Sequence, residues 1–323
     1  MTYPDILHMV LSLVLEGAPF ILLGALISGL IDAYLPSKAM DRLLPKNAIA
    51  AVLVAGLMGA IFPVCECAIV PVIRRLVAKG LPVACAMTYM LSAPIINPIV
   101  ALSTFSAFSV PPGHPDPSQP WMMMGSRLLL GYLIAIIIGL VMTRIAPEKI
   151  LRPGVLKEAE DNRALPATKS IESPANDGRK LVQAMRTAQK DFVDVGMYFI
   201  IGVLIASIFK TQIVFRPAMQ ESLYGIASNA WLAPLILMVL AFVLALCSTT
   251  DAFVIAADSL FTKSAKLAFL VFGPMMDMKL IFLYSTILQR RAVLMLVVAL
   301  SLLTWLFCQG WQQILDPVPV LPK

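Results

Sequence analysis

The sequence predicts an all-α polytopic membrane protein with two inverted repeats, each holding three spanning helices and one broken, re-entrant helical hairpin. Composition, matched motifs and a pair of interrupted apolar segments lead to this fold class. Of the 323 residues, 59% are apolar and only 14% are charged, with a mean hydropathy of +0.85. Soluble domains are nearer 45–50% apolar and about 25% charged, so we expect neither a soluble catalytic domain nor a nucleic-acid partner.

Long apolar segments provide the predicted helices, since about 20 apolar residues are needed to cross a bilayer. They lie at 6–31, 48–79 (broken), 81–108, 121–145, 192–209, 231–261 (broken), 265–289 and 292–311. The hydrophilic stretch 146–190 separates them and predicts a mobile, charged cytoplasmic linker. The predicted parts are therefore a first membrane repeat at 1–145, the linker, and a second membrane repeat at 191–323.

Four motifs of the first half recur in order about 180 residues later. An acid followed eight residues on by a glycine begins each half, at Glu16 and at Asp194. Cys65 then matches Cys247. Ser-Ala-Pro-Ile-Ile-Asn97 matches Phe-Gly-Pro-Met-Met-Asp277, which places a polar residue three positions after the proline in both copies. The ordered set indicates an internal duplication.

Cation placement favours re-entrant hairpins over full crossings. If both broken segments return to their own side, eighteen Lys and Arg lie on the cytoplasmic side and five lie outside. If the segments cross instead, giving eight full transmembrane helices in parallel repeats, the best division is sixteen to seven. The positive-inside rule prefers the first arrangement, and the second remains the alternative.

The first break, Phe-Pro-Val-Cys65-Glu66-Cys67, carries the sharpest chemistry. Thiolates favour soft ions, and a carboxylate at membrane depth typically marks a solute pathway or a proton site. These three residues are also the best candidates for a metal site, although no firm one is predicted. The alternative is that the cysteines are small buried apolar residues, which free cysteines often are.

The second break offers one thiol, hydroxyls and an acid, with Cys247, Ser248, Thr249 and Asp251 as candidate solute-binding residues. Hydroxyls can bind a solute or satisfy backbone groups freed by a helix break.

Four more polar residues lie inside apolar segments. Asn97 and Asp277 follow prolines that interrupt a helix, and we expect them to shape the solute cavity. Glu16 and Asp194, together with Glu66 and Asp251, are candidate proton carriers. The alternative for Glu16 and Asp194 is a salt bridge to Arg127 or Lys279.

The paired motifs resemble those of the ArsP/YraQ-type predicted permeases. The first half matches at Phe-Pro-Val-Cys65-Glu66-Cys67-Ala-Ile-Val-Pro and Ser-Ala-Pro-Ile-Ile-Asn97-Pro, and the second at Cys247-Ser-Thr-Thr-Asp-Ala-Phe. The resemblance implies an inner-membrane permease, and the characterised branch exports trivalent organoarsenicals. That branch more often has a serine where this chain has Glu66, and a fixed negative charge suits a cation or a proton-coupled step.

The expected function is a secondary permease in the bacterial inner membrane that exports a small thiophilic solute, organoarsenical-like or a soft metal species, with proton coupling. No Gly-rich phosphate loop occurs, so we expect no nucleotide and no other cofactor. The expected partners are the solute and the bilayer, and a homodimer is an option that no motif supports. The alternative is a transmembrane thiol–disulfide electron conduit that uses Cys65 or Cys67 with Cys247. A metal-ion channel would use the same residues.

Overall fold

A computed structural model describes residues 3–36, 44–109, 119–164, 177–214, 229–258 and 260–315. Within these ranges the regular structure is helical, and the one β-type contact is an isolated bridge between Leu151 and Leu288. Residues 165–176 of the predicted linker and residues 316–323 at the end of the second predicted repeat lie outside the described ranges.

Six helices form the first half: α1 (Tyr3–Tyr34), α2 (Ala48–Ile61), α3 (Glu66–Ala78), α4 (Val83–Ser92), α5 (Pro98–Ser109) and α6 (Gln119–Met142). Two helices follow in the predicted linker, α7 (Pro147–Ile150) and α8 (Pro153–Ala164). The second half contains α9 (Asp177–Val214), α10 (Leu232–Leu244), α11 (Asp251–Ala256), α12 (Lys263–Met275), α13 (Met278–Tyr284) and α14 (Arg290–Leu315).

The prediction of an all-α polytopic membrane protein is confirmed. Over the described ranges, five helical stretches are long and apolar enough to cross a bilayer: Leu7–Tyr34, Gln119–Met142, Gly178–Phe209, Lys263–Tyr284 and Arg290–Leu315. Shorter apolar helices, α2, α4, α5 and α10, lie beside them. The short helices are those that flank the breaks expected from the prolines and cysteines.

Four helix ends of the first half meet at one end of the bundle, called the first end below. Ala48 at the start of α2, Val77 near the end of α3, Val83 at the start of α4 and Met142 at the end of α6 line a common pocket. The end of α1 lies here too, because Lys79 Nζ donates to the backbone oxygen of Asp32 at 2.8 Å. Both ends of segment 48–79 are therefore at the same end of the bundle.

The second half uses the opposite end, called the second end, in the corresponding way. The indole nitrogen of Trp305, late in α14, donates to the backbone oxygen of Trp231 before α10 at 3.2 Å. Trp311 donates to Ser126 Oγ near the start of α6 at 2.9 Å. The segment after α13 returns to the first end, where Arg152 N donates to Ile287 O at 2.8 Å.

The stretch that sequence predicted as a mobile linker is mostly helical where it is described, and it packs on the bundle. α8 contacts α3, and its Val155 and Ala159 side chains are buried. The sequence pattern did not predict this helix because the helix is mostly polar, and its apolar contacts form only when α3 is in place. Residues 177–190 are also helical and form the first turns of α9.

The two breaks end their helices differently. In the first half, α2 ends at Ile61, just before Pro63, and α3 starts again at Glu66. In the second half, α10 ends at Leu244 and is followed by Ala245, whose φ of 48° lies in the left-handed region. A non-glycine residue in that region is uncommon and ends a helix by turning the chain.

Candidate functional site

Glu66 joins the two halves at the centre of the molecule. It is the first residue of α3 and only 1% exposed. The hydroxyl of Ser248 donates to Glu66 Oε2 at 3.1 Å, and the ammonium of Lys279 lies 3.4 Å from Glu66 Oε1. The start of a helix favours a carboxylate because the unpaired N–H groups there carry partial positive charge. Glu66 is thus held by its own helix, by the second break and by α13.

Lys279 is buried too, at 4% exposure. Its ammonium donates to the backbone oxygen of Ala245 at 3.0 Å and lies 3.4 Å from Asp277 Oδ2. The other carboxylate oxygen of Asp277 accepts from Leu280 N at 2.7 Å and so caps α13. A buried lysine is tolerated at this depth because these acceptors surround it.

A second buried ion pair anchors α11 to the first half. Arg127 on α6 donates to Asp251 Oδ2 at 2.7 Å and to the backbone oxygen of Ser248 at 3.0 Å. Its other terminal nitrogen donates to Thr104 Oγ1 on α5 at 2.7 Å. Arg127 is 1% exposed and Asp251 is 2% exposed. Each is the counter-ion that offsets part of the desolvation cost of burying the other.

The two breaks line one small cavity. Its walls come from α1, both breaks, α9 and α13, through Leu13, Glu16, Gly17, Phe20, Cys65, Glu66, Cys67, Phe199, Cys247 and Lys279. The cavity volume is about 10 Å³, roughly what one water molecule needs. Three thiols and two carboxylates therefore border one narrow space between the two halves.

Several predicted site residues lie elsewhere than on the cavity wall. The side chain of Asn97 accepts from Ile99 N at 2.9 Å and caps α5, which is the capping position that Asp277 takes on α13. Thr249 Oγ1 lies 3.6 Å from Cys247 Sγ. The predicted solute-site residues that do not line the cavity are Asn97, Ser248, Thr249, Asp251 and Asp277.

The two acids expected to be equivalent have different surroundings. Glu16 lines the cavity, and no lysine or arginine of the described ranges lies within 4 Å of its carboxylate. Asp194 is near the first end, 3.7 Å from Arg74 and 44% exposed at its side chain. The alternative pairing of these acids with Arg127 or Lys279 is wrong, because those cations pair with Asp251, Glu66 and Asp277.

Sequence reasoning considered Arg127 and Lys279 only as possible salt-bridge partners and did not identify them as central residues of the site. The available signal was their position, since each is a cation within an apolar segment and an intramembrane charge needs a partner. The contacts of Arg127 with Asp251 and of Lys279 with Glu66 depend on the packing of helices more than 120 residues apart. The hydrogen bond from Ser248 to Glu66 was unpredictable for the same reason.

The site does not have the geometry of a bound metal ion. Among the described residues, no three His, Cys, Asp or Glu side chains are grouped as metal ligands would be. Cys65 and Cys67 flank Glu66 along the chain, but Glu66 is turned to Ser248 and Lys279. The expectation that Cys65, Glu66 and Cys67 bind a metal together is not supported by this arrangement.

A separate charged cluster closes the first end. Arg75 on α3 pairs with Asp191 on α9 at 3.0 Å and with Glu158 on α8, and its guanidinium is 3.9 Å from Asp32 on α1. Ser28 Oγ donates to Asp191 Oδ2 at 2.5 Å. Four helices therefore converge on one buried guanidinium, which holds the first end together.

Comparison with known proteins gives one consistent result. The family model ArsP_1, described as a predicted permease, matches residues 3–309. The UPF0718 protein YcgR of Bacillus subtilis (strain 168) is 34% identical over 89% of this chain and 90% of its own length. A Streptococcus mutans (strain ATCC 700610 / UA159) protein, whose name describes a two-component membrane permease complex subunit, is 34% identical over 92% of each chain. No solved structure gives a significant match.

Proposed function

Since the chain belongs to the ArsP_1 predicted permease family, we propose that it is a bacterial inner-membrane secondary permease that exports a small thiophilic solute with proton coupling. The observation that carries the proposal is the shared cavity, where Cys65 and Cys67 of one half and Cys247 of the other stand beside Glu66. Thiols supply affinity for soft metal and metalloid species such as trivalent arsenic.

The proposed transport cycle is alternating access between two inverted repeats. In support, both ends of segment 48–79 lie at the first end, whereas α10 begins at the second end. The packing is also reciprocal, since α3 contacts α13 of the other half and α11 contacts α5. Ser248 stands 182 positions after Glu66, the spacing that separates Cys65 from Cys247, and the two matched residues touch. Such a contact is expected where a pseudo-two-fold axis passes through the site.

In this cycle the described conformation has no room for the solute between the breaks, because the cavity there has a volume of about 10 Å³, roughly that of one water molecule. The Arg75 cluster closes the first end, and opening toward the cytoplasm requires it to separate. Glu66 is the proposed proton carrier at the solute, and Asp251 is held by Arg127. Glu16 remains a second candidate carrier on the cavity wall, whereas Asp194 lies outside the cavity.

The test is a susceptibility panel in a bacterium that lacks its own metalloid and metal exporters, with methylarsenite, arsenite, copper, zinc and selenite. We expect expression to lower accumulation and toxicity of one soft species. Cys65→Ala and Cys247→Ala should abolish the protection, and Glu66→Gln should abolish its dependence on the proton gradient. Cys308→Ala is the matched control, because that buried thiol on α14 does not line the cavity.

Protection that survives in both Cys65→Ala and Cys247→Ala at normal protein levels would remove thiols from the proposal. Unchanged coupling in Glu66→Gln would remove the proposed proton carrier. Arsenic resistance is the outcome that the family resemblance favours.

A thiol–disulfide electron conduit is the second candidate, since one thiol from each half on a common cavity is also what such a conduit needs. It makes a distinct prediction: a mixed disulfide with a thioredoxin-like partner should be trapped on Cys65 or Cys247 after acid quench. A permease with no such adduct and intact export under reducing conditions would exclude it.

A further inference from the structure

Three oxygen atoms from three different segments form a cage around the Lys279 ammonium. They are Ala245 O at 3.0 Å, Glu66 Oε1 at 3.4 Å and Asp277 Oδ2 at 3.4 Å. The two carboxylates are each 1% exposed. This set of hard oxygen donors is the kind that suits a small, hard cation, and in this conformation the cation is the amine of the protein itself.

The backbone is shaped to supply the cage. Ala245 follows α10 in the left-handed region, and the last carbonyls of a helix carry partial negative charge. In transporters with discontinuous helices, such C-terminal carbonyls and unwound backbone are the groups that bind a coupling cation. Gly202 lets α9 pack directly against the Lys279 backbone, because a β-carbon at position 202 would come within 2.9 Å of Lys279 Cα.

One cage atom depends on whatever cation is present. Asp277 Oδ2 is buried and accepts no hydrogen bond from the described residues, and its nearest charge is the Lys279 ammonium. Without the ammonium, Glu66 and Asp277 would face a shared space with no counter-ion, which is costly in a buried site.

We propose that this cage is a monovalent-cation site in which Lys279 alternates with a free cation, sodium or a proton. When the free cation takes the cage, the ammonium leaves and α13 is released from both breaks. Glu16 is where the ammonium goes, since it lies on the same cavity and has no cation within 4 Å in the described ranges. The coupling step of the proposed permease would then be the exchange of a tethered cation for a mobile one.

A change of pH would also act on the titratable groups that surround the cage. Facing Lys279 are Glu66, Cys65 and Cys67 at the first break, Cys247 at the second, Glu16 on α1, and Asp277 and Tyr284 on or beside its own helix. Residues Gly202 and Phe199 on α9 carry no charge. Sodium at fixed pH and pH at fixed sodium are therefore separate arms of the test.

The first experiment measures the unfolding temperature of purified Lys279→Ala, without any thiophilic solute. In choline chloride the variant should melt several degrees below the wild type, and sodium chloride or mild acid at equal ionic strength should restore it. Restoration by sodium identifies sodium as the cation, and restoration by acid alone identifies the proton. Lys279→Ala with Glu66→Gln should respond less to either. A melting temperature of Lys279→Ala that neither sodium nor acid raises would overturn the proposal.

The second experiment uses the wild type and so does not depend on a variant that folds. Reductive methylation of Lys279 is measured by peptide mass spectrometry relative to the exposed Lys157 on α8. We expect the ratio to rise severalfold when sodium replaces choline, or when the pH is lowered, and to rise less in Glu16→Gln. A ratio that does not change under either condition would contradict the exchange.

The exchange of Lys279 for a free cation depends on the proposed permease function only where it is assigned a role in the transport cycle. Because neither experiment contains a metal or metalloid, cation exchange can fail while solute export stands, and the reverse outcome is equally visible.

Discussion

Arg127 and Asp251 form an ion pair that decides where the second break lies. Their charged atoms are 2.7 Å apart, and Arg127 also holds the backbone oxygen of Ser248, the residue that donates to Glu66. Asp251 Oδ1 and Arg127 Nε have no hydrogen-bond partner in the described ranges, so the pair is incompletely satisfied. Such a buried pair gives position more than stability, since its desolvation offsets much of its attraction.

Removal of one partner should therefore be much worse than replacement of both. We expect Asp251→Asn to lower the free energy of unfolding by about 3–5 kcal/mol, because Arg127 is left buried with an uncompensated charge. The double change Arg127→Met with Asp251→Leu should cost clearly less. Urea unfolding in mild detergent gives both values.

Asp194→Asn is the matched control, because the Asp194 pair with Arg74 is partly exposed and such pairs contribute about 0–1 kcal/mol. Equal losses in Asp251→Asn and Asp194→Asn would show that burial of the first pair has been overestimated.

At the scale of elements, two glycines let the long helices α1 and α9 approach the site. A β-carbon at Gly24 would come 2.8 Å from Ala68 Cα on α3, and one at Gly202 would come 2.9 Å from Lys279 Cα on α13. These glycines are the closing residues of the motif repeated in each half. The repeated motif therefore lies on the two helices that pack closely against the breaks. The sequence pattern alone did not reveal this packing.

Gly202→Ala should push α9 away from α13 and displace the Lys279 backbone, because the opposing atom is main chain and has little room to move. We expect a lower melting temperature and slower export. Gly196→Ala on the same helix is the control: no atom lies within 4 Å of its β-carbon position, and alanine favours a helix by about 1 kcal/mol over glycine. If both variants behave alike, close packing at Gly202 is not what the position requires.

The sequence predicted the elements better than their partners. Apolar length located the five spanning stretches of the described ranges, although the apolar segment 81–108 is divided into the short helices α4 and α5. Pro63 with its neighbouring cysteines located the first break, because helix propensity and burial are local properties. The end of α10 before Ala245 was not predictable in the same way, because no proline or glycine in the sequence there indicates the end of a helix. The pairs Arg127–Asp251 and Lys279–Glu66 depend on tertiary packing. Helix α8 is stabilised by contacts with the bundle that its polar sequence does not predict.

At the scale of the whole molecule, ion pairs close the first end, and the space between the breaks is narrow. The Arg75 cluster joins α1, α3, α8 and α9, while the cavity between the breaks has a volume of about 10 Å³. Helices from both halves reach this cavity, and the reciprocal packing of α3 on α13 and of α11 on α5 ties the halves together. A movement that opens either end must therefore change the walls of the cavity.

The most direct test of the shared site asks whether one trivalent arsenical can bind a thiol from each half. A variant that retains only Cys65 and Cys247 is treated with phenylarsine oxide, which bridges two nearby thiols, and is examined by intact-protein mass spectrometry. We expect one arsenical per chain, with both thiols then protected from N-ethylmaleimide and neither protected in the single-cysteine variants. Two thiols that stay independently reactive, with no bridged product, would contradict a common binding cavity.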